Sequence, residues 1–598
     1  CCGPTGKSLT LASDAADPAY RQYSFDDFAA AYKEQISLMI EAGADLILHE
    51  TCFDALNAKA LIYAMEQLGN PLPLIISATV SDRSGRTLTG QTLEAFYRSI
   101  SHAPTLAAFG INCALGAAEM APLVRDIASF SSHPVIFYPN AGLPDEFGAY
   151  TDSPEEMAAV IGSLASAGCL NIAGGCCGTT PDHIKAIKKA VEGHRPHRWT
   201  KSSDLVVSGL EPVRIAPELN FTNIGERTNV AGSRKFARHI AGNDYAEALS
   251  IAADQIEGGA DIIDINMDDP MVDSSEKMRS FLRHIAGEPA IAKAAVMIDS
   301  SHWDTILEGL KNAQGRCIVN SISLKDGEEE FLRKAREIRA LGAAMVVMAF
   351  DEQGQAVTFD RKVDICRRSY SLLTEKAGVP PQDIIFDCNI LSIGTGIAEH
   401  SRFGVDFIEA VRWIKENLPG ARTSGGVSNL SFAFRGNNVV REAMHSAFLY
   451  HAIRAGLDMA IVNPQMLRIY DDIPADLRKC VEDVIFDKDP DATSRLTDLA
   501  SAIASVAQAG AQATADTTSS GRPVDLPGAL VRGISSGIEE LTLSAYKELG
   551  SAVAVIEGPL MQGMEQVGDL FANGRMFLPQ VVKSAKVMRD AVDVLKPY

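Results

Sequence analysis

The sequence of 598 residues has no uninterrupted apolar stretch of about 20 residues, no secretory signal and no basic tract. The first two absences argue against a chain that spans a membrane or is exported, and we expect a cytoplasmic protein. The third absence, together with a formal net charge of −21 and a pI near 5.1, argues against binding to nucleic acid or to an anionic membrane surface. We expect the chain to be a monomer.

A disulfide framework is also not expected, although the chain has eleven cysteines. In a reducing compartment, scattered thiols are more often core residues, metal ligands or catalytic groups. The first residue is Cys1 rather than Met. We therefore expect that residues preceding Cys1 have been removed.

The segment from Ser24 to Cys177 alternates short apolar runs with longer amphipathic ones, a pattern typical of parallel β/α units. Five runs fit buried strands: "DLILHE", "LPLIISATV", "LAAFGINCAL", "PVIFYPNAG" and "LNIAGGCC". The opening "CCGPTG" resembles the tail of another strand. Because a barrel of this kind needs eight strands, we expect about two units and part of a third to be missing before residue 1. The barrel should then be open or poorly ordered.

A second series, from Leu219 to Pro464, offers eight strand candidates, each followed by a helix-like stretch. They are "LNFTNIGER", "ADIIDINM", "AAVMIDSS", "CIVNSIS", "AMVVMAFD", "IIFDCNI", "RTSGGVSN" and "DMAIVNP". Eight is the number that closes a (β/α)8 barrel. We predict an α/β protein with two (β/α)8 TIM-type barrels, the first without its N-terminal strands, followed by a small four-helix bundle cap.

The predicted domains are residues 1–197 for the first barrel, 219–480 for the second and 526–598 for the cap, with linkers at 198–218 and 481–525. The first linker has a possible short strand pair. The second contains "ASAIASVAQAGAQATADTTSSGRPVDLPG", whose Ala, Ser, Thr and Gly content favours a flexible segment. In the cap, we predict amphipathic helices that are interrupted at "EGPL" and "NGRMFLP".

Three cysteines lie at predicted strand ends, where the chemistry of such a barrel is found. Cys113 ends "LAAFGINC", and Cys176 with Cys177 ends "LNIAGGCC". Three thiolates around a zinc ion would leave one tetrahedral position open for a substrate thiol. The alternative is that all three are small residues packed against helices. Six further cysteines have no partner at ligand spacing and are interpreted as core thiols: Cys52, Cys169, Cys317, Cys366, Cys388 and Cys480.

Long motifs in the chain resemble the cobalamin-dependent methionine synthase family, in that family's domain order. Its homocysteine-binding zinc barrel is similar to "HETCFDALNAKA", "SGRTLTGQT", "GINCALG", "YPNAGLP" and "GGCCGTTPDHI". Its folate barrel is similar to "FTNIGERTNVAGSRKF", "DINMDD", "MIDSS", "VNSIS", "VVMAFDEQGQA", "SGGVSNLSFAFRG" and "YDDIP". Its helical cap is similar to "IEGPLMQGM" and "VGDLF…GRMFLPQVVKSAKVM".

The resemblance implies methyl transfer from 5-methyltetrahydrofolate, through cobalamin, to zinc-activated homocysteine thiolate, giving methionine and tetrahydrofolate. It implies Cys113, Cys176 and Cys177 as zinc ligands, with the homocysteine sulfur as the fourth. Glu50, at the end of "DLILHE", suits the ammonium group of homocysteine. The alternative for Glu50 is a surface carboxylate that caps the next helix.

The second barrel would bind the pterin ring of 5-methyltetrahydrofolate. A pterin edge presents two donors and an acceptor, which a carboxylate beside amide groups can match. Candidates at strand ends are Asp299, Asn320, Asp387 and Asn429. Methyl transfer requires protonation of the pterin N5, and in the family's pattern Asn429 fits the residue that follows this proton, with Asp299 in the surrounding network. The resemblance thus implies that these two are catalytic.

Other residues match positions expected to line the folate pocket. They are Gly232, Ser233, Arg234 and Arg435, with Glu226 and Asn229 as neighbours. The alternative for each Asp or Asn is helix capping in a βα loop, which Asp299 could do before "SSHWDTILEGL".

In the cap, the resemblance implies that Phe571 and Leu578 cover the upper face of the corrin ring and exclude water from it. The alternative is that both are ordinary core residues of the helical bundle. The family's D-x-H-x-x-G motif, which supplies the lower histidine ligand of cobalt, is not found in the sequence. The reactivation domain that binds S-adenosylmethionine is also not recognised. We therefore expect a fragment that performs only half-reactions. Its partners would be the cobalamin-binding and reactivation domains that the fragment lacks.

Three alternatives compete with this interpretation. An enzyme of the betaine–homocysteine type would need only the first barrel, and the eight-strand second barrel and the cap argue against it. A corrinoid-protein folate methyltransferase would need only the second and would have no use for the three clustered cysteines. The alternative from another functional class is a catalytically inactive substrate-binding module or scaffold.

Overall fold

The first region is a five-stranded parallel sheet covered by helices. The computed structural model describes residues 1–69, 72–219, 221–511, 525–572 and 576–598. All five predicted strands are present, in the order β1-β2-β3-β4-β5. Their bounds are Ile47–Cys52 (β1), Leu74–Ala78 (β2), Leu106–Gly116 (β3), Val135–Asn140 (β4) and Ile172–Ala173 (β5). Within the described residues the sheet is open, with β1 and β5 at its edges.

The segment "CCGPTG" lies beside β1, as expected for part of a further strand. Cys2 forms a parallel bridge with His49, and its backbone N–H donates to the carbonyl of Leu48 at 2.7 Å. The helices of this region are Phe25–Glu41 (α1), Ala55–Gln67 (α2), Leu93–Ile100 (α3), Ala117–Phe130 (α4), Pro154–Ser166 (α5) and Pro181–Val191 (α6).

Local sequence explains where these helices begin. At α1, Ser24 and Asp27 form a reciprocal capping box, which satisfies the first free backbone N–H groups of the helix. At α5, Ser153 and Glu156 do the same, and Pro154 occupies the first turn, where its missing N–H is not needed.

The second region is an eight-stranded sheet, which confirms the predicted number. The strands are Thr222–Asn229 (β8), Ile262–Asn266 (β9), Ala295–Asp299 (β10), Ile318–Ile322 (β11), Ala344–Met348 (β12), Ile384–Asp387 (β15), Arg422–Ser424 (β16) and Met459–Val462 (β17). Their order in the sheet is β16-β15-β12-β11-β10-β9-β8-β17. A parallel bridge between Gly426, which follows β16, and Ile461 on β17 joins the two ends of that order.

Short elements accompany the two sheets. Leu205–Ser208 (β6) and Pro212–Ile215 (β7) pair antiparallel and confirm the strand pair expected in the first linker. Phe350–Asp351 (β13) and Gly354–Gln355 (β14) follow β12. The 3₁₀ and π turns are Leu324–Asp326, Leu372–Lys376, Pro381–Asp383, Ala398–His400, Val427–Asn429, Phe432–Phe434, Pro464–Met466, Tyr470–Asp472 and Ile556–Leu560.

The described residues of this second region and of the segment after it form eleven helices. They are Arg234–Ala241 (α7), Tyr245–Glu257 (α8), Ser274–Ala286 (α9), Pro289–Ala292 (α10), Trp303–Asn312 (α11), Glu328–Ala340 (α12), Phe359–Ser371 (α13), Phe403–Asn417 (α14), Asn438–Ala455 (α15), Ala475–Ile485 (α16) and Ala492–Ala511 (α17). No described helix is both long and apolar enough to cross a lipid bilayer.

The second predicted linker differs from the structure. Residues 500–511, expected to be flexible, form the end of α17. Alanine is the strongest helix former, so an Ala-rich segment can be helical as easily as flexible. Residues 512–524 of this linker lie outside the described residues.

The C-terminal region contains four helical segments, as predicted, but "EGPL" does not separate two of them. The segments are Leu526–Arg532 (α18), Ile538–Leu549 (α19), a run of α20 (Ala552–Val555) and α21 (Met561–Ala572), and Leu578–Leu595 (α22). A π turn at Ile556–Leu560 connects α20 to α21 and carries Pro559 within the helix. The helices share a core of fully buried Leu530, Val555, Leu560 and Val587.

A buried lysine joins α2 to the end of α11. Lys59 is 1% exposed, and its ammonium donates to the backbone carbonyls of Ala313 at 2.9 Å and Gly315 at 3.0 Å. Burial lowers the pKa of Lys59. Carbonyls at the end of a helix have no partner within the helix, and a cation there also interacts favourably with the helix dipole.

We expect Lys59→Met to lower the free energy of unfolding by about 2 kcal/mol, because two buried carbonyls lose their charged donor while the side chain keeps its length. Urea unfolding of Lys59→Met beside Lys33→Met, an exposed lysine on α1, measures this. Equal stability of the two variants would contradict the role of Lys59.

Candidate functional site

Three thiols meet at the carboxyl edge of the first sheet. The Sγ of Cys177 lies 3.9 Å from the Sγ of Cys113 and 4.0 Å from the Sγ of Cys176. All three sulfur atoms lie within 4.8 Å of one another, and all three residues are half-buried. Among the described residues, no other group of three His, Cys, Asp or Glu side chains is arranged to hold a metal ion.

The spacing of the sulfur atoms fits a tetrahedral zinc site. With Zn–S bonds of about 2.3 Å, tetrahedral geometry separates two sulfur ligands by about 3.8 Å. The two separations of 3.9 and 4.0 Å are close to that value. Three sulfur vertices leave the fourth vertex for another ligand, which is the arrangement of a catalytic site.

The backbone at the end of β3 has an unusual conformation. Cys113 and Ala114 have φ of 61° and 62°, and Thr51 on β1 has φ of 58°. The buried Asn112 stabilises this arrangement, since its Oδ1 accepts from the N–H of Thr51 at 3.1 Å and from the hydroxyl of Ser77 at 2.7 Å. Its Nδ2 donates to Thr51 Oγ1 at 2.9 Å. Asn112 therefore fixes the backbone conformation at Cys113, near the end of β3.

The other two cysteines follow the short strand β5 and are held by the end of β4. The N–H of Cys176 donates to the carbonyl of Pro139 at 2.7 Å, and the N–H of Cys177 donates to Asn140 Oδ1 at 3.1 Å. Burial and the neighbouring thiols raise the pKa of Cys176 to about 12. A cation bound to the Cys176 sulfur would lower this pKa.

Glu50 lies on the same edge of the sheet. Its Oε2 accepts from the hydroxyl of Tyr138 at 3.4 Å. Burial raises the pKa of Tyr138, and the charges of Glu50 and Cys176 both add to the increase. Glu50 does not cap α2, because Asp54 occupies that position and accepts from the N–H of Leu56 at 2.9 Å.

The remaining cysteines only partly match the prediction of core thiols. Cys52, Cys317, Cys366 and Cys388 are buried, whereas Cys169 and Cys480 are half-exposed and thus not core residues. The Sγ atoms of Cys366 and Cys388 lie 3.8 Å apart. That contact joins α13 to the end of β15 and could not be found from spacing along the chain.

The second sheet gathers two carboxyl groups and three amides. The Nδ2 of Asn229 lies 3.3 Å from Asp264 Oδ2 and 3.2 Å from Asp299 Oδ2. Asn266 donates to Asp299 Oδ2 at 3.1 Å, and Asn320 donates to Asp264 Oδ1 at 3.5 Å. Asp299 does not cap α11, whose N-cap residue is His302.

Burial raises the pKa of both carboxyl groups. The pKa of Asp264 is raised to about 7, and the charge of Glu226 adds to this. For Asp299, burial and the charge of Asp264 both raise the pKa. The folded chain therefore favours the protonated form of these side chains more than an exposed aspartate would.

Asp264 and Asn266 were not among the predicted site residues. Both lie on β9, where "IIDIN" is fully buried, and they occupy alternate positions on one face of the strand. Two polar residues at that spacing in an otherwise apolar strand could have identified Asp264 and Asn266 as site residues, because buried polar groups need hydrogen-bond partners.

The predicted residues after β8 have different local roles. The Oδ1 of Asn229 accepts from the N–H of Gly232 at 3.1 Å and so closes the turn. Ser233 is buried and caps α7, where its hydroxyl accepts from the N–H of Phe236 at 3.3 Å. Arg234 is exposed at the start of α7.

Asp387 is half-buried at the end of β15. Its Oδ1 accepts from the N–H of Asn389 at 2.7 Å. Burial raises the pKa of Asp387 to about 6, and the buried ammonium of Lys362 partly offsets the increase. Lys362 is itself held by the backbone carbonyls of Ala356 and Cys388.

Asn429 and Arg435 are exposed in the loop after β16. The N–H of Asn429 donates to the carbonyl of Gly426 at 3.4 Å, and its Nδ2 lies close to Gly426. The guanidinium carbon of Arg435 lies 5.7 Å from the ring centre of Phe432.

In the C-terminal region, Phe571 is 44% exposed near the end of α21, and Leu578 is half-buried at the start of α22. The two do not share one helix, as predicted from the interruption between them. Residues 573–575 of that interruption lie outside the described residues.

Three family models match the chain in succession. A homocysteine S-methyltransferase model matches residues 1–191, a pterin-binding enzyme model matches 225–463, and a B12-binding domain model matches 525–596. The thiol cluster lies in the first match, the carboxyl and amide groups in the second, and the four helical segments in the third.

Solved structures of two kinds are similar to parts of the chain. The apo homocysteine methyltransferase MmuM from Escherichia coli is 24% identical over 28% of this chain, with a TM-score of 0.24. The chain spans 58% of the length of MmuM. Dihydropteroate synthase from Stenotrophomonas maltophilia is 16% identical over 50% of this chain and 97% of its own length, with a TM-score of 0.31.

The Asp264–Asp299 pair predicts a pH-dependent stability. The folded state favours the protonated carboxyl of Asp264, so this group stabilises the fold below its ordinary pKa of 3.8 and loses that contribution as pH rises toward about 7. Asp264→Asn removes the ionisable group. Between pH 4 and pH 8, we expect the stability of this variant relative to the unmodified protein to rise by about 3 kcal/mol.

Urea unfolding at several pH values measures the difference. Asp126→Asn, an exposed aspartate on α4, is the matched control. A difference between Asp264→Asn and the unmodified protein that stays constant with pH would show that Asp264 is ionised in the folded chain.

Proposed function

On the premise that this chain has the homocysteine S-methyltransferase, pterin-binding and B12-binding domains of cobalamin-dependent methionine synthase, we propose that it takes part in methyl transfer from 5-methyltetrahydrofolate to homocysteine. The acceptor would be a homocysteine thiolate bound to zinc, and cobalamin would carry the methyl group between the two substrates. The proposed domains are those at residues 1–197, 219–480 and 526–598.

The observation that carries this proposal is the sulfur triangle of Cys113, Cys176 and Cys177. Three thiolates at tetrahedral spacing would hold zinc and leave one vertex for the substrate sulfur. When bound, zinc lowers the pKa of a coordinated thiol, so that it is a thiolate at neutral pH. Glu50 would orient the substrate through its ammonium group, supported by the hydroxyl of Tyr138.

The pterin-binding domain would bind the methyl donor. Asp299, Asn320 and Asp387 would hold the pterin edge, and Asn429 would follow the proton at N5. The raised pKa of Asp387, about 6, supports this role. A pterin N–H that donates to the buried carboxylate would offset part of the cost of its burial.

The helices of residues 525–596 would form the part of the cobalamin site that lies above the corrin ring. Cobalamin supplies a strongly nucleophilic metal centre that accepts and returns a methyl group. Phe571, near the end of α21, and Leu578, at the start of α22, would exclude water from that centre.

Zinc content tests the homocysteine half. We expect about one zinc per chain in the unmodified protein and at least a tenfold weaker zinc affinity in Cys176→Ala, because one of three thiolate ligands is lost. Cys480→Ala, which removes a half-exposed thiol on α16, should retain the metal. Elemental analysis after dialysis against a chelator measures all three, and a metal-free unmodified protein would refute the zinc site.

Binding of 5-methyltetrahydrofolate tests the other half. We expect Asp387→Asn to weaken binding by roughly tenfold to a hundredfold, because a charge-assisted hydrogen bond to the pterin is worth about 1.5–3 kcal/mol. Titration calorimetry would measure this beside Asp471→Asn, whose side chain is 88% exposed.

The two tests are independent of each other. Weaker binding of 5-methyltetrahydrofolate with normal zinc content in Asp387→Asn would show that one chain has two separate substrate sites. A chain that binds neither zinc nor 5-methyltetrahydrofolate would instead be an inactive scaffold.

A further inference from the structure

Lys362 on α13 is a fully buried lysine to which the proposed function gives no role. Its ammonium donates to the backbone carbonyls of Asn389 at 3.2 Å and Ala356 at 3.3 Å, and also to that of Cys388. Three acceptors match the three N–H groups of a protonated lysine, whereas a neutral amine has only two. The geometry therefore indicates a buried positive charge at this position.

Two of the carbonyls that hold this charge belong to the residues directly after Asp387, which ends β15. The N–H of Asn389 donates to Asp387 Oδ1 at 2.7 Å. Asn389 has φ of 60°, a left-handed conformation that asparagine adopts more readily than most residues. The chain thus turns immediately after Asp387, and the carbonyls of Cys388 and Asn389 both reach one ammonium. Lys362 therefore holds the turn that follows the Asp387 carboxylate.

A second contact from the same helix holds this turn. Cys366 lies four residues after Lys362, and residues at that spacing share one face of a helix. The Sγ of Cys366 lies 3.8 Å from the Sγ of Cys388, and both thiols are buried. One face of α13 thus contacts both the side chain and the carbonyl of the residue after Asp387.

The hydrogen bonds of Lys362 determine how its charge can act on Asp387. All three N–H groups donate to carbonyls, so the ammonium attracts the carboxylate through its electric field rather than through a direct hydrogen bond. A nearby opposite charge favours the ionised form of a carboxyl group. An ionised carboxylate has about four acceptor positions, and this arrangement leaves more of them for a ligand than a direct ion pair would.

Three further titratable groups face Lys362: Cys366 on the same helix, Cys388 after β15 and Asp406 on α14. Asp406 is already paired with Arg402, whose Nη2 lies 3.2 Å from Asp406 Oδ1. Burial raises the pKa of Cys366, so this thiol stays neutral near pH 7. Asp387 is thus a carboxylate beside Lys362 that is not already paired with an arginine.

We propose that Lys362 is a positioning residue of the folate site, whose buried charge, held by the turn after Asp387, keeps the Asp387 carboxylate ionised to accept N–H groups of the pterin. This inference rests on the proposed function. Burial raises the pKa of Asp387 to about 6, and Lys362 opposes the increase. Without that charge the carboxyl group would hold its proton to a higher pH. A protonated carboxyl group presents a donor to the donors of the pterin edge and loses the match.

The pH dependence of 5-methyltetrahydrofolate binding tests the proposal. Titration calorimetry at several pH values gives an affinity profile for each variant. In the unmodified protein, we expect the affinity to fall as the pH drops below about 6, where Asp387 takes up a proton. The ligand titrates identically in every sample, so a displacement between two profiles reports a change in the protein.

In Lys362→Met, we expect the midpoint of the profile to move up by at least about one pH unit, because the positive charge beside the carboxylate is lost. The ratio of the affinities at high and low pH then grows by about tenfold. The midpoint is the readout, because a displaced turn alone would weaken binding equally at every pH. Lys547→Met, which removes an exposed lysine on α19, should leave the profile unchanged.

Lys362→Gln is the second variant. Glutamine is neutral but keeps an N–H donor for the carbonyls of the turn, so it retains more of the structure if Lys362→Met does not fold. We expect the same upward displacement of the midpoint as in Lys362→Met.

The double variant of Lys362→Met and Asp387→Asn isolates the carboxyl group. Compared with Asp387→Asn alone, it should show no displacement of the profile, since the group on which Lys362 acts is absent. A displacement that persists in this background would mean that Lys362 acts through another group, which overturns the proposal.

The possible failures are distinguishable. An unmodified chain that does not bind 5-methyltetrahydrofolate, or an Asp387→Asn variant that binds it equally well, overturns the proposed function at this site. Normal binding that Asp387→Asn weakens, with one midpoint shared by the unmodified protein and the neutral variants of Lys362, overturns the role of Lys362 and leaves the folate site intact.

Discussion

Repulsion between groups of like charge at the ends of parallel strands is the constraint on which both candidate sites depend. In the first sheet three thiols lie within 4.8 Å of one another, and in the second the Nδ2 of Asn229 lies within hydrogen-bond distance of two carboxyl groups. Burial raises the pKa of Cys176 and of Asp264, and neighbouring groups of like charge add to both increases. The proposed metal would relieve the repulsion in the first sheet, whereas a proton and amide donors relieve it in the second. The same physical problem would then have a different solution in each sheet.

Rigid backbone positions make these close approaches possible. Thr51, Cys113 and Ala114 all have positive φ, which is unfavourable for residues with a side chain. Asn112 compensates through three hydrogen bonds that link β1, β2 and β3. The strain and its compensation lie together at the edge where the sulfur atoms converge. The position of Cys113 is therefore determined by the sheet rather than by a flexible loop.

Much of this arrangement could be predicted from the sequence, because buried parallel strands are short continuous apolar runs and their ends share one edge of a sheet. That rule gave all thirteen strands of the two sheets and brought Cys113 to Cys176 and Cys177. It could not identify Asp264, because a polar residue inside an apolar run gains meaning only from the neighbours that β8, β10 and β11 place around it. The helix at "EGPL" and the helical residues 500–511 of the second linker were missed for a local reason. Proline and glycine usually end helices, but a π turn accommodates Pro559, and alanine is a strong helix former even in a stretch that reads as flexible.

The two ways of relieving repulsion respond to pH in opposite directions. Metal binding by thiols becomes stronger as pH rises, because each ligand must lose its proton first, and the pKa of Cys176 is raised to about 12 before any cation is bound. The carboxyl pair contributes most to the stability of the folded chain at low pH, and this contribution is lost as the pH approaches about 7. With the metal proposed for the first sheet, metal binding would set a lower pH limit for the chain. The stability of the carboxyl pair would set an upper limit. Amide donors from Asn229, Asn266 and Asn320 extend the upper limit, because they stabilise the ionised carboxylate and leave the thiol cluster unaffected.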